Sequence, residues 1–143
     1  MKTVIFCVNY NSYKDLDGYL HTIEIADKAA GSENSVTVIV ADNSENPENY
    51  SYGGDLGYFG GAAFGIEQSG LRVADYDYSI ISNVDLLLPG DFFEKLYSEQ
   101  IDKNVGCIAP SIISKGEGVN RNPKVLTMYS ADGSQEAEAT FCN

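Results

Sequence analysis

The residues in this chain that first ask for a chemical explanation are Asn83 and Asp85. In YSIISNVDLLLP, from Tyr78 to Pro89, an apolar, β-branched run breaks into Asn83-Val84-Asp85 before apolar residues resume. On extended chain, side chains two apart point to the same side. One amide and one carboxylate placed this way could hold a divalent cation and a sugar hydroxyl. The run before them has the length and composition of a buried strand, so a strand would be delivering two polar groups to its own end. A polar turn between two strands accounts for the same three residues without any ligand, since so short a motif is a weak signal alone.

The elements around this stretch decide what it can reach. Thr3 to Val8 reads as a strand apolar on both faces and ends at Asn9-Tyr10-Asn11. Ser12 with Asp15 makes an S-x-x-D helix start. Leu16, Leu20 and Ile23, with Ala26 or Ala30, keep helical spacing until Gly31 stops the helix. A second strand, from Ser35 or Val36 to Ala41, also leaves on polar residues, Asp42-Asn43-Ser44. Breakers then mark a loop from Glu45 to Asp55, and the run DLGYFGGAAFG follows from Asp55 to Gly65. Its glycines, Gly57, Gly60, Gly61 and Gly65, permit close approach of backbone to a ligand or to a neighbouring element, with Ala62-Ala63 to Leu71 continuing as helix.

After Tyr78 to Pro89, Asp91 can cap a helix whose apolar face is Phe92, Phe93, Leu96 and Tyr97. Val105 to Ala109 reads as a fourth apolar strand, closed by Pro110. Beyond Ser114, and above all from Met128 to Asn143, periodicity is weak. The expected division is therefore a core over 1–110 and a loop and tail over 111–143. Strands separated by helices imply βαβ units. The expected fold is α/β, a mainly parallel, doubly wound sheet of about four or more strands with helices on both faces. Ligands of such sheets bind beyond the carboxyl ends of the strands. Three strands finish there in polar clusters, Asn9-Tyr10-Asn11, Asp42-Asn43 and Asn83 with Asp85, which favours a binding cleft over isolated turns.

Charge narrows the partners. Of 143 residues, 21 are acidic and 9 basic, a net charge of −12 that repels nucleic acid and anionic lipid. A phosphate-bearing ligand would need its charge met by a metal and by backbone N–H groups at helix starts. No apolar run approaches the roughly 20 residues of a membrane span. The start, Met1 to Phe6, lacks the basic region and cleavage site of a signal peptide. A cytoplasmic protein is expected, at most peripheral to the inner membrane. Cys7, Cys107 and Cys142 are odd in number and far apart, which suits reduced thiols, the first two buried. His21 stands in a helical pattern as a surface residue and offers no Ser-His-Asp or Cys-His arrangement.

The runs VNYNSYKDLDGYL, VIVADNS, DLGYFGGAAFGI and YSIISNVDLLLPGDFFEKL, in this order, resemble the donor-binding half of the inverting family-2 glycosyltransferases, rhamnosyltransferase-like members above all. The resemblance spans Met1 to about Pro110. It implies a GT-A fold and transfer of a sugar from a nucleoside-diphosphate sugar, UDP- or dTDP-linked, to a saccharide or lipid-linked saccharide in surface polysaccharide synthesis. It further implies Tyr10, Asn11 and Asp42 around base and ribose, with Asn43 beside them. Asp55, Gly57 and Gly61 would lie in the glycine-rich run near the diphosphate, and Asn83 near ribose or metal waters. By the same resemblance Asp85 binds Mg²⁺ or Mn²⁺. Two positions depart from the family pattern: Asp55 and Ala62-Ala63 stand where Asn and Asn or Arg are usual. The family's general base is a carboxylate beyond the metal motif, but Glu117, Asp132, Glu136 and Glu138 match no motif for it, so no catalytic residue is assigned. What is implied is a donor-binding domain with an incomplete acceptor region, able to bind nucleotide sugar but poor at transfer alone. The alternative is a non-catalytic, truncated α/β domain, a nucleotide-binding remnant or protein-interaction module, that self-associates through exposed apolar area.

Overall fold

A computed structural model describes residues 1–45, 50–51, 56–101, 105–110, 112–113, 124–129 and 135–141. The chain divides into two compact units, Met1–Glu99 and Gln100–Asn143. The first is an α/β unit built on β1 (Lys2–Asn9), α1 (Tyr13–Ala29), β2 (Ser35–Asp42), β3 (Tyr50–Ser51), α2 (Gly57–Ser69), β4 (Tyr78–Asn83) and α3 (Phe92–Ser98). Its sheet runs β3-β2-β1-β4 with every neighbouring pair parallel.

β1 is the innermost strand because its sequence can be buried on both faces. From Thr3 to Asn9 every residue is buried. Alternation sends Ile5 and Cys7 into one core with Leu16, Tyr19, Ile23 and Ala26 of α1 and Phe93 of α3. Val4 and Phe6 go to the other face with Ile39, Ile66 and Leu71, and Val8 joins Ala41 and Ala62. Helices therefore cover both faces, α1 and α3 on one and α2 on the other, as expected for a doubly wound unit. α1 ends as its sequence requires, with Gly31 at φ 92° just past its last turn. Its buried stripe contains Tyr19, whose hydroxyl donates to Ser82 Oγ of β4 at 2.7 Å inside the core.

Helix starts differ in detail from the capping expected of them. Ser12 and Asp91 occupy the N-cap positions of α1 and α3, but neither side chain caps its helix. The Ser12 hydroxyl donates back to the carbonyl of Tyr10, and the Asp91 carboxylate pairs with Lys95 at 2.7 Å instead. Asp77 ties two strand starts together. Its carboxylate accepts from the Lys2 N–H at 2.7 Å while its own N–H donates to the Lys2 carbonyl at 2.8 Å, locking the start of β4 to the start of β1. His21 lies on the exposed side of α1, 4.0 Å from Glu24, and Cys7 is a buried free thiol, both as expected.

In the second unit, β5 (Lys124–Tyr129) and β6 (Gln135–Phe141) form an antiparallel pair with an irregularity between Met128 and Tyr129. Loop and tail were expected there. The QEAEATF sequence does carry a period of two, but Glu and Ala are poor strand formers and disguise it. The converse correction concerns Val105 to Ala109, which forms no strand. A strand exists only by pairing, Gly106 adds backbone freedom, and Pro110 cannot donate to a ladder. Cys107 is correspondingly exposed, not buried. Cys142, Glu117 and Asp132 lie outside the described residues.

Candidate functional site

Register brings the polar strand exits to one edge. Asn9 pairs with Asp42 across β1 and β2, and Val8 pairs with Asn83 across β1 and β4, so all three strands of the core finish at the same level. The turn from β1 into α1, the start of α2 and the segment after β4 leave from this edge.

The side chains at the edge divide between the two faces of the sheet. Asn9 and Asp42 turn toward α1. Both are fully buried, and Asp42 accepts from the Tyr13 hydroxyl on Oδ2 at 2.8 Å and from Asn9 Nδ2 and the Ser44 N–H on Oδ1 at 3.2 and 3.1 Å. A carboxylate expected beside a base and ribose is thus engaged within the chain, where hydrogen bonds offset the cost of its burial. Ser44, itself buried, receives the Asn11 N–H on its hydroxyl at 2.8 Å, and Asn9 Oδ1 receives the Ser12 N–H at 3.2 Å. The turn that these bonds hold includes Asn11 in the left-handed region, φ 53°, a conformation Asn tolerates better than most residues. Tyr10, 52% exposed, and Asn11 face outward from it.

On the other face, Asn43 and the glycines of α2 meet. Asn43 Nδ2 donates to the Gly57 carbonyl at 3.1 Å, while its buried Oδ1 has no hydrogen bond from the described residues. A Cβ at Gly61 would stand 2.8 Å from Asn43 Nδ2 and 2.9 Å from Val8 Cγ1; one at Gly65 would stand 3.3 Å from the Ala41 Cβ. Gly61 and Gly65, one turn apart, therefore let the helix backbone rest on the sheet. Of the two uses open to these glycines, Gly61 and Gly65 serve the neighbouring element. Gly57, at φ 65°, supplies the left-handed residue that begins the helix.

Asn83 alternates with the inward Ser82 and so lies on the α2 side of the sheet, exposed. Asp85, two residues further, is also exposed, and its carboxylate has no partner among the described residues. No family model, curated protein or solved structure matches this chain. What the edge can do is therefore argued from its own groups. Amides, hydroxyls and one exposed carboxylate suit a polyhydroxylated or phosphorylated ligand. Among the described residues no three His, Cys, Asp or Glu side chains converge on a cation. Asp55 lies outside the described residues.

Tyr13 was absent from the expected site, and Asn9 and Ser44, named among the polar strand exits, had no role in it. Two signals pointed to them: D-N-S after a strand is the pattern of an aspartate that binds the amide two residues on, and Tyr13 follows Asn9 by four.

Proposed function

We propose that the Met1–Glu99 unit is the donor-binding part of a GT-A glycosyltransferase, one that uses a UDP- or dTDP-linked sugar and a saccharide or lipid-linked saccharide acceptor. The observation that carries this reading is the shared edge. Asn9 and Asp42 are in register at the carboxyl end of a parallel sheet, Asn83 sits beside them opposite Val8, and Asp85, exposed and with no partner among the described residues, follows two residues on. Ligands of open α/β sheets bind at that end.

Each exposed group has a role there. Tyr10 offers a ring face to a base, and Asn11 a donor and an acceptor to the nucleoside. Behind them the buried Asn43 Oδ1, without a partner among the described residues, suits a bridging water. Asn83 orients hydroxyls on its side of the sheet. Asp85 is the group that would hold Mg²⁺ or Mn²⁺. A single carboxylate fits such an ion because Mg²⁺ commonly takes one or two protein carboxylates and completes its shell with phosphate and water. When bound, the ion would neutralise charge on the departing diphosphate. Transfer with inversion also needs a base for the acceptor hydroxyl, and no residue of the chain is assigned to it.

Calorimetric titration with UDP and dTDP, with and without Mg²⁺ or Mn²⁺, tests the reading. Binding should require the metal and weaken at least about tenfold in Asp85→Ala, the scale of one lost charge-assisted contact. Equal affinity in that variant would overturn the proposal. A second reading, a non-catalytic α/β domain, has the inward engagement of Asp42 on its side. It requires no nucleotide affinity under any metal condition.

A further inference from the structure

Asp42 is the most polar group at the edge and the least accessible. We infer that Asp42, with Tyr13, Asn9 and Ser44, forms a positioning set that fixes the Tyr10–Asn11 turn in its binding conformation, and that none of the four touches the ligand. The ligand half of this inference rests on the proposed function; the turn half does not.

The bonds converge on Asp42. The Tyr13 hydroxyl fixes Asp42 at 2.8 Å, Asp42 fixes the Ser44 N–H at 3.1 Å, and the Ser44 hydroxyl takes the Asn11 N–H at 2.8 Å. Asn9 closes the set, donating to Asp42 at 3.2 Å and receiving the Ser12 N–H at 3.2 Å. Tyr13 opens α1, so both ends of the turn are tied to one buried carboxylate. Asn9 and Asp42 are 0% exposed and Ser44 is 3%, whereas Tyr10 is 52% exposed. A left-handed residue costs roughly 1–2 kcal/mol relative to ordinary backbone. Asn11 would leave that conformation readily if its N–H lost Ser44, and the outward side chains would leave with it.

Single-atom deletions separate positioning from simple stability. In Ser44→Ala the Asn11 amide should exchange with solvent at least about tenfold faster by nuclear magnetic resonance, while amides of β1 remain protected. Unchanged exchange at Asn11 overturns the inference whatever nucleotide does. Ser44→Ala and Tyr13→Phe should also weaken UDP binding in the presence of Mg²⁺ by about three- to tenfold, well below their melting temperatures and with native circular dichroism. Ser44→Thr keeps the hydroxyl and should bind as the parent does. Variants that melt earlier but bind UDP equally well would make the set structural only and overturn the inference. A parent protein with the expected Asn11 protection but no UDP affinity would overturn the proposed function and the ligand half, leaving the turn assignment standing.

Discussion

The two faces of the sheet are closed in opposite ways. Against α1 and α3 the strands pack large side chains, Tyr19 and Phe93 among them, and bury Cys7, Tyr19 and, at the edge, Asp42, all groups that could ionise. Against α2 the contact is made in part by helix backbone: Gly61, Ala62 and Gly65 lie on Val8, Ala41 and Ile39, while Tyr58 and Ile66 pack on either side of them. One face is filled by volume and the other in part by approach of backbone. The difference has a consequence for tolerance. Removing atoms should damage the first face, and adding atoms should damage the second.

The largest effect should come from Phe93→Ala, which empties a fully buried ring site on the side-chain-filled face and should cost about 3–5 kcal/mol in urea denaturation. Alkaline pH attacks the same face. Burial pushes the Cys7 thiol up to about 12 from 9.0, and burial, opposed by the Ser82 hydrogen bond, pushes the Tyr19 phenol up to about 12 from 10.0. Both folded values lie above the unfolded ones, so this stabilisation is whole below pH 9 and is lost as pH rises toward 12. Through Cys7 alone the loss by pH 10.5 should be on the order of 2 kcal/mol, and Cys7→Ala should flatten the alkaline slope. An equally steep slope in that variant would show that the thiol is not its source.

On the glycine face, Gly61→Ala should cost about 1–3 kcal/mol because its Cβ would meet Asn43 and Val8 below 3 Å. Tyr19→Phe should cost about 1 kcal/mol by leaving the Ser82 hydroxyl without its partner. Gly65→Ala should be close to neutral, since 3.3 Å from the Ala41 Cβ is tight but the helix gains propensity. If Gly61→Ala proved as mild as Gly65→Ala in thermal melts, the contrast between the faces would be lost.

Most of the order of strands and helices in the first unit was legible because their periodicities are local: two-sided apolar runs for β1 and β2, helical spacing closed by Gly31 for α1; the two-residue β3 (Tyr50–Ser51), inside the expected loop from Glu45 to Asp55, is too short to show a period. The convergence of polar exits was legible too, since it follows once the sheet is parallel. Which way each polar side chain turns was not legible. Asp42 and Asn43 are neighbours in sequence, yet they serve opposite faces, one engaged by Tyr13 and the other by Gly57. That partition depends on strand register and on helices placed elsewhere in the chain. Val105 to Ala109 failed as a strand for a related reason: an apolar composition describes what a segment could bury, not whether a neighbour exists to pair with it.

β1 lies inside its sheet but precedes both partners in the chain. β2 follows directly after α1, while β4 arrives only after β3 and α2, so a growing polypeptide passes through a stage in which one flank of β1 bears bare peptide groups. Until Tyr78–Asn83 clears the ribosome, that flank invites pairing with any extended strand nearby. Slow translation across α2 should therefore raise aggregation and dependence on chaperones without altering the stability of the finished protein.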